Sequence, residues 1–146
     1  MHYLPVYRLS LVRERSLPAG DRSITSAIDA AQILGEYLDG ADREHFVILL
    51  LDTRNRVIGV NTVSIGTLNA SMVHPREVFK PAILANAAAI IACHNHPSGD
   101  TTPSKEDMAL TSRIKDAGAL LGVPLLDHII VGERQGYYSM KEWGVV

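Results

Sequence analysis

Two apolar runs stand out in the pattern of hydrophobic and polar positions along this chain. Residues 46–51 and 87–93 carry apolar side chains without interruption. Short runs of this kind are typical of strands covered on both faces, because neither face needs polar side chains. We therefore predict two buried strands, over residues 44–52 and 87–93, inside a sheet.

Weaker patterns predict more strands around these two. Residues 56–65 are rich in β-branched side chains and follow the turn-like residues 53–55, so we expect a hairpin with the strand at 44–52. Apolar and polar residues alternate over 7–12, which favours a half-buried strand near a sheet edge. Additional strands are predicted over residues 68–73, 123–131 and 137–140, the last two joined by a turn at 132–136.

Three segments with helical spacing of apolar residues lie between the strands. The first helix is expected to begin after a cap at Ser23 or Thr25 and to end at Gly40. The second, at 75–86, opens with a proline, which is favoured at the first helical position. The third covers 104–122.

These elements predict one α/β domain over residues 1–146, because strands and helices alternate along the chain. We expect an N-terminal strand and loop over residues 1–22 and a core over residues 23–146. In the core, helices would cover both faces of a mixed, largely antiparallel sheet. A chain of this length buries about 68–70% of its unfolded surface, so its stability requires neither a disulfide nor a metal.

Composition limits the partners and the compartment. The net charge of −2 argues against binding along a nucleic-acid backbone. Neither apolar run approaches the roughly 20 residues that cross a bilayer, and charged residues interrupt residues 1–20 where a signal peptide needs an apolar core. Cys93, the single cysteine, excludes an intramolecular disulfide and fits a reducing compartment. We expect a cytoplasmic protein with no membrane segment, whose exposed strand edges leave room for a homo-oligomer.

Two histidines and one aspartate carry the chemistry that the sequence suggests. His94 and His96 follow the predicted strand at 87–93 two positions apart, so alternation places both imidazoles on one side. Asp107 falls in the first turn of the third helix, and the loop between is dense in turn-forming residues that allow it to fold back. Two imidazoles and a carboxylate with an open fourth position are typical of a catalytic zinc site, so we predict one zinc ion per chain.

Each of these residues also has a structural interpretation. His94 and His96 alone would serve as loop histidines that make hydrogen bonds. Ser104 and Asp107 have the spacing of a capping box, in which each side chain bonds to the backbone beside the other. The spacing of the whole set favours the metal site, because separate structural roles would not require it. We expect Cys93, whose side chain points away from that of His94, to be a buried core residue rather than a nucleophile.

Asp127 and His128 form an acid–imidazole pair within the strand predicted at 123–131. Such a pair either orients a ligand imidazole from outside the metal's own ligand set or serves the packing of the strand. The sequence leaves both interpretations open.

The chain resembles the JAMM (MPN+) metalloprotease domain, and within it the RadC-like branch. The pattern of that family is an upstream glutamate, then His-x-His, then ten residues and an aspartate, with a serine three positions before the aspartate. His94, His96, Ser104 and Asp107 match it. The resemblance runs from about residue 23 to the C-terminus and extends to the segments 66–70, 74–79, 94–100 and 126–132. It implies a fold like that of cytidine deaminases.

The resemblance also implies a zinc-dependent peptidase or isopeptidase. The three predicted ligands would bind zinc, Glu44 would act as the general acid/base, and Ser104 would help to stabilise the oxyanion. Glu77, near the start of the second helix, is the rival for the general base. The substrate would be a peptide, an isopeptide or another amide, which the motif itself does not identify.

RadC-like proteins usually carry an N-terminal helix-hairpin-helix region. We expect this chain to lack that region, because only residues 1–43 precede the central hairpin. An alternative function is therefore a non-catalytic or DNA-associated module whose metal site is structural or vestigial. Salt-dependent retention on DNA, with folding that survives chelation, would favour that alternative.

Overall fold

A mixed sheet of five strands runs through the part of the chain that the structure, a computed structural model, describes: residues 1–18, 22–66, 73–132 and 136–146. The strands are β1 (His45–Leu51), β2 (Val57–Ile65), β3 (Ala89–Asn95), β4 (Leu125–Val131) and β5 (Tyr137–Ser139). Their order is β2-β1-β3-β4-β5; β3 and β4 are parallel, and the other neighbours are antiparallel. The predicted mixed, largely antiparallel sheet is confirmed.

The three predicted helices are α1 (Ala27–Tyr37), α2 (Pro75–Leu84) and α3 (Lys105–Leu121). The first begins later than expected, after Ser26, because the Asp29 carboxylate accepts hydrogen bonds from the backbone N–H groups of Thr25 and Ser26. The third ends at Gly122, which has the left-handed conformation that glycine tolerates. No helix in the described part of the chain is long and apolar enough to cross a membrane.

The helices cover both faces of the sheet, which explains the uninterrupted apolar runs. Residues of β1 alternate between two cores: Phe46, Ile48 and Leu50 pack with α2 and α3, whereas Val47 and Leu49 pack with α1. The strand β3 alternates in the same way, and all seven of its residues are buried. This sheet therefore presents one face of β3 to α3 and the other to α1.

The predicted N-terminal strand at 7–12 is wrong. These residues form no strand; Tyr7 is 81% exposed and Leu9 77% exposed. Alternation gives a segment an apolar side but supplies no neighbouring strand, and a strand exists only where a partner accepts its hydrogen bonds. In the described part of the chain, the strand pairing nearest to residues 7–12 is a single antiparallel bridge from Ser23 to Arg56, just before β2.

Two other predicted features fall largely outside the described residues. The strand expected at 68–73 includes residues 68–72, and the turn expected at 132–136 includes residues 133–135, which lie outside the described part of the chain. Both stay predictions.

Candidate metal centre

The two histidines lie at the end of β3, which runs two residues further than the predicted end at Cys93. His94 is on the α3 side of the sheet and is 1% exposed. The backbone N–H of His96 donates to the carbonyl of Val131 at 2.9 Å, so the β3–β4 pairing continues past the strand. This continuation preserves the alternation and leaves both imidazoles on one side, as the sequence predicted.

Three side chains converge at this point. The Nε2 atoms of His94 and His96 are 3.0 Å apart. Asp107 Oδ1 lies 3.3 Å from His94 Nε2, and Asp107 Oδ2 lies 3.4 Å from His96 Nε2. Two ligands that each lie about 2.0–2.1 Å from a tetrahedral zinc ion are roughly 3.3 Å apart. The spacing and the donor types therefore fit one metal ion, and these three residues are a candidate metal site.

The loop after β3 fixes the orientation of the His96 ring. His96 Nδ1 lies 2.7 Å from the carbonyl oxygen of Asp100. A carbonyl only accepts, so Nδ1 carries the proton and the lone pair of Nε2 faces His94 and Asp107. Metal-binding histidines commonly donate their second nitrogen to such a carbonyl.

Asp107 is held as a carboxylate at the N-terminus of α3. Its Oδ2 accepts from the backbone N–H of Ser104 at 2.8 Å, while its own N–H donates to Ser104 Oγ at 3.0 Å. Burial raises the pKa of Asp107, and the hydrogen bond from the Ser104 backbone is among the interactions that hold that pKa below its usual range. Oδ1 remains free to bind a cation, so the capping box and the metal site share one residue.

Ser104 combines the two interpretations that the sequence offered. Its Oγ accepts the hydrogen bond of the helix cap, and the side chain is otherwise exposed at the mouth of the site. A hydroxyl that accepts through oxygen keeps its proton for another partner. The cap therefore does not prevent the Ser104 hydroxyl from donating to a ligand.

Glu44 lies immediately before β1, half-buried, and its carbonyl accepts from Gly66 N–H at 2.7 Å. In the antiparallel β1–β3 ladder Phe46 pairs with His94. Glu44 precedes Phe46 by two residues and His96 follows His94 by two, so the alternation that holds for both strands brings Glu44 to the same end and face of the sheet as the histidines.

Asn95, the residue between the histidines, clamps the backbone around Glu44. Its Oδ1 accepts from the N–H of His45 at 2.7 Å, and its Nδ2 donates to the carbonyl of Arg43 at 3.0 Å. Asn95 is 7% exposed, and both ends of its amide are used. This residue was not predicted from the sequence; the available signal was an amide side chain at the end of a buried apolar strand.

The other residues singled out by sequence have structural roles. Glu77 Oε2 pairs with Lys80 Nζ at 2.9 Å on the surface of α2, and this interaction lowers the pKa of Glu77. Cys93 is fully buried in the α1-side core, and burial raises the pKa of its thiol well above its usual range, as does the charge of Asp127. The prediction of a core cysteine is confirmed.

Asp127 and His128 separate to opposite faces of β4. Asp127 Oδ2 accepts from Ser139 Oγ at 2.6 Å, and Oδ1 accepts from the N–H of Lys141 at 3.0 Å, so this carboxylate orders the turn after β5. His128 instead lies 2.8 Å from His94, measured from Nε2 to Nδ1. Of the two interpretations left open, packing applies to Asp127 and contact with a ligand imidazole applies to His128.

A cleft of about 930 Å³ adjoins the site on the α1 side of the sheet. Its described walls come from α1 and from the ends of β3 and β4, and it reaches His96 and Pro97. Glu36 and Asp39 are the carboxylates among these lining residues. Of the three candidate metal ligands, His96 is the one among the described lining residues, because His94 and Asp107 lie on the α3 side of the sheet.

Comparison with known proteins agrees with this geometry. The sequence profile of a family described as "RadC-like JAB domain" matches residues 24–145. A UPF0758 protein of Rubrobacter xylanophilus is 50% identical over 139 residues, which cover 95% of this chain and 59% of the relative. A UPF0758 protein of Shouchella clausii is 54% identical over 121 residues, 83% of this chain and 52% of the relative. The chain thus spans between half and three fifths of these relatives, whose names state no activity.

Proposed function

We propose, on the premise that this chain belongs to the RadC-like JAB domain family, that it is a zinc-dependent hydrolase of amide bonds. The observation that carries the proposal is the spacing of His94, His96 and Asp107, whose facing atoms are 3.0 to 3.4 Å apart. Two nitrogens and a carboxylate leave the fourth position of a tetrahedral ion open, as in catalytic zinc sites.

Bound zinc would supply a water molecule whose pKa is lowered toward about 7 and would polarise the carbonyl of the substrate. The chain must then move protons. Glu44 would take the proton of that water as it adds to the amide carbon and give it to the nitrogen as the C–N bond breaks. Its place at the histidine end of β1, fixed by the Asn95 clamp, supports this role.

The Ser104 hydroxyl would donate a hydrogen bond to the carbonyl oxygen, which becomes negative when water adds to its carbon. Its exposure beside Asp107 supports this role. Glu77 is disfavoured as the base, because its carboxylate is already paired with Lys80 on the surface of α2.

The substrate would be a peptide, an isopeptide or another amide. The net charge of −2 disfavours nucleic acid as the substrate. We place the activity in the reducing cytosol, where a chain with one buried cysteine needs no disulfide.

The test is hydrolysis of a panel of peptide, isopeptide and small amide substrates by the zinc-loaded protein, with and without a chelator. We expect Glu44→Gln to keep its zinc and lose activity by about 10²–10⁴-fold, the range of general acid–base catalysis. Glu77→Gln is the matched control and should remain active. Full activity of Glu44→Gln, or no cleavage of any substrate by zinc-loaded wild type, would contradict the proposal.

A further inference from the structure

Behind His94, three polar groups form a continuous buried chain. His94 Nδ1 lies 2.8 Å from His128 Nε2, and His128 Nδ1 bonds in turn to Thr111 Oγ1. Thr111 Oγ1 lies 2.7 Å from the backbone carbonyl oxygen of Asp107, one turn earlier in α3. His128 and Thr111 are both 0% exposed. This hydrogen-bond network thus joins His94 on β3, through His128 on β4, to the backbone of Asp107 on α3.

The Asp107 carbonyl, at the end of this hydrogen-bond network, gives a direction to each hydrogen bond in the network. The Asp107 carbonyl only accepts, so the Thr111 hydroxyl donates its single proton there. Thr111 Oγ1 must then accept from His128 Nδ1, which carries the ring proton. His128 Nε2 is left with a lone pair, and it accepts from His94 Nδ1. His94 is therefore protonated on Nδ1 and presents the lone pair of Nε2 to His96 and Asp107.

The opposite direction would require the Thr111 hydroxyl to turn its proton from the Asp107 carbonyl to His128 Nδ1. His128 would then donate to His94 Nδ1, and the proton of His94 would occupy Nε2, the atom that faces Asp107. The hydrogen-bond partners of the His128 ring are His94 and Thr111, and the edge of its ring contacts Phe46. That arrangement would put a proton on the atom of His94 that faces the other two candidate ligands, where a metal ion needs a lone pair.

We infer that Thr111 and His128 are positioning residues that hold His94 in the Nδ1–H tautomer and so keep its Nε2 available for a metal. The inference rests on the proposed function only for the identity of the metal. Because the hydrogen-bond network ends on the backbone of Asp107, it also couples the position of β3 to that of α3. Partners of this kind commonly change metal affinity by about 10–100-fold.

The first test needs no variant. In metal-free wild type at pH 8, above the ordinary imidazole pKa of about 6.5, two-dimensional ¹⁵N–¹H NMR of the imidazole rings reports which nitrogen of His94 is protonated. We expect a protonated Nδ1 and an unprotonated Nε2, with the assignment made by loss of the signals in His94→Ala. A His94 protonated on Nε2 would overturn the inference.

The second test compares Thr111→Val, which keeps the shape but loses the hydroxyl, with Thr111→Ser, which keeps the hydroxyl. Titration with zinc alone, against a competing chelator, should show about 10–100-fold weaker binding for Thr111→Val and near wild-type binding for Thr111→Ser. Thr111→Val should also show a mixture of His94 tautomers, whereas a merely structural role would leave the tautomer unchanged. Equal zinc affinity of the two variants would overturn the inference.

Neither readout uses a substrate, so the inference and the proposed function can fail separately. Zinc binding that depends on Thr111 in a protein that cleaves nothing would sustain the inference and contradict the hydrolase. Cleavage by a protein whose His94 is protonated on Nε2 would do the reverse.

Discussion

The N-termini of α1 and α3 have the same local design but different surroundings. In each, a serine precedes the helix and the carboxylate three positions later accepts from the serine N–H: Asp29 from Ser26 at 3.1 Å and Asp107 from Ser104 at 2.8 Å. Around Asp29 the other partner is Thr25, at the surface. Around Asp107 the other partners are two imidazoles at the end of β3.

This difference comes from the chain before each helix. Before α1, the described residues pair with the sheet at the Ser23–Arg56 bridge, and Asp29 accepts its hydrogen bonds from Thr25 and Ser26. The segment before α3 is a short loop from a central strand, which returns the helix to the strand end. A capping box thus predicts where a helix begins, and the neighbouring strand decides whether its carboxylate also serves a site.

The largest expected effect is on zinc affinity, and it distinguishes Asp107 from Asp29. Asp107→Asn removes a negative oxygen that faces both histidines, so we expect its zinc affinity to fall by more than about 100-fold, beyond the usual loss from an outer partner. Asp29→Asn is the matched control, because it makes the same change at the other capping box. Zinc titration against a chelator measures both. Equal losses of affinity would show that Asp107 acts only as a cap.

A second effect concerns Asn95, which joins the site to the start of β1. Asn95→Asp keeps an acceptor for His45 N–H but loses the donor to the Arg43 carbonyl. We expect kcat to fall by about 100-fold through misplacement of Glu44, with zinc affinity nearly unchanged. Asn61→Asp, which adds the same charge on β2, should keep full kcat. A parallel loss of zinc in Asn95→Asp would place the clamp in the metal site instead.

A third effect tests the loop that returns α3 to the histidines. A Cβ on Gly132, just after β4, would lie 2.5 Å from the Gly99 carbonyl oxygen in the loop that also holds His96. We expect Gly132→Ala to destabilise the protein by about 1–3 kcal/mol, as overpacking does, and to weaken zinc binding. Denaturant unfolding measures the first and chelator competition the second.

Gly35 in α1 is the control, because a Cβ there would meet no atom within 4 Å. Gly35→Ala should stabilise the protein by about 0.5–1 kcal/mol, since alanine is the better helix former, and should leave zinc binding unchanged. A Gly132→Ala variant as stable as Gly35→Ala would contradict the close approach of loop and strand.

The smallest effect is the pH dependence at Asp29. Hydrogen bonds from the Thr25 backbone and side chain lower its pKa, as does that from Ser26. A lowered pKa contributes stability that is present above the unfolded value of about 3.9 and is lost as pH falls through the folded value. We expect Asp29→Asn to unfold at slightly lower urea than wild type at pH 7, and the difference to vanish near pH 2. A difference that persists at pH 2 would contradict this.

Much of this arrangement could be predicted from residues close together in sequence. The apolar runs predicted β1 and β3, because strands covered on both faces need no polar positions, and Pro75 and Gly122 marked ends of helices. The spacing of His94, His96 and Asp107 predicted their convergence, since a strand end and the next helix start meet across one short loop.

Residues that depend on distant partners were harder to predict. The sequence left the role of His128 open and did not single out Thr111, because their contacts depend on β4 lying beside β3 in parallel. The alternation at 7–12 failed for the same reason, because a strand needs a partner that local sequence does not supply. Local pattern thus predicted the candidate ligands, offered an orienting role for His128 as one of two interpretations, and missed Thr111.

The most direct test of the metal centre is elemental analysis of protein purified without a chelating resin, compared with His94→Ala/His96→Ala. We expect about one zinc per wild-type chain, as the three converging ligands imply, and none in the folded double variant. Wild type that stays folded but takes up no metal even when zinc is supplied, or a double variant that keeps its zinc, would contradict the account.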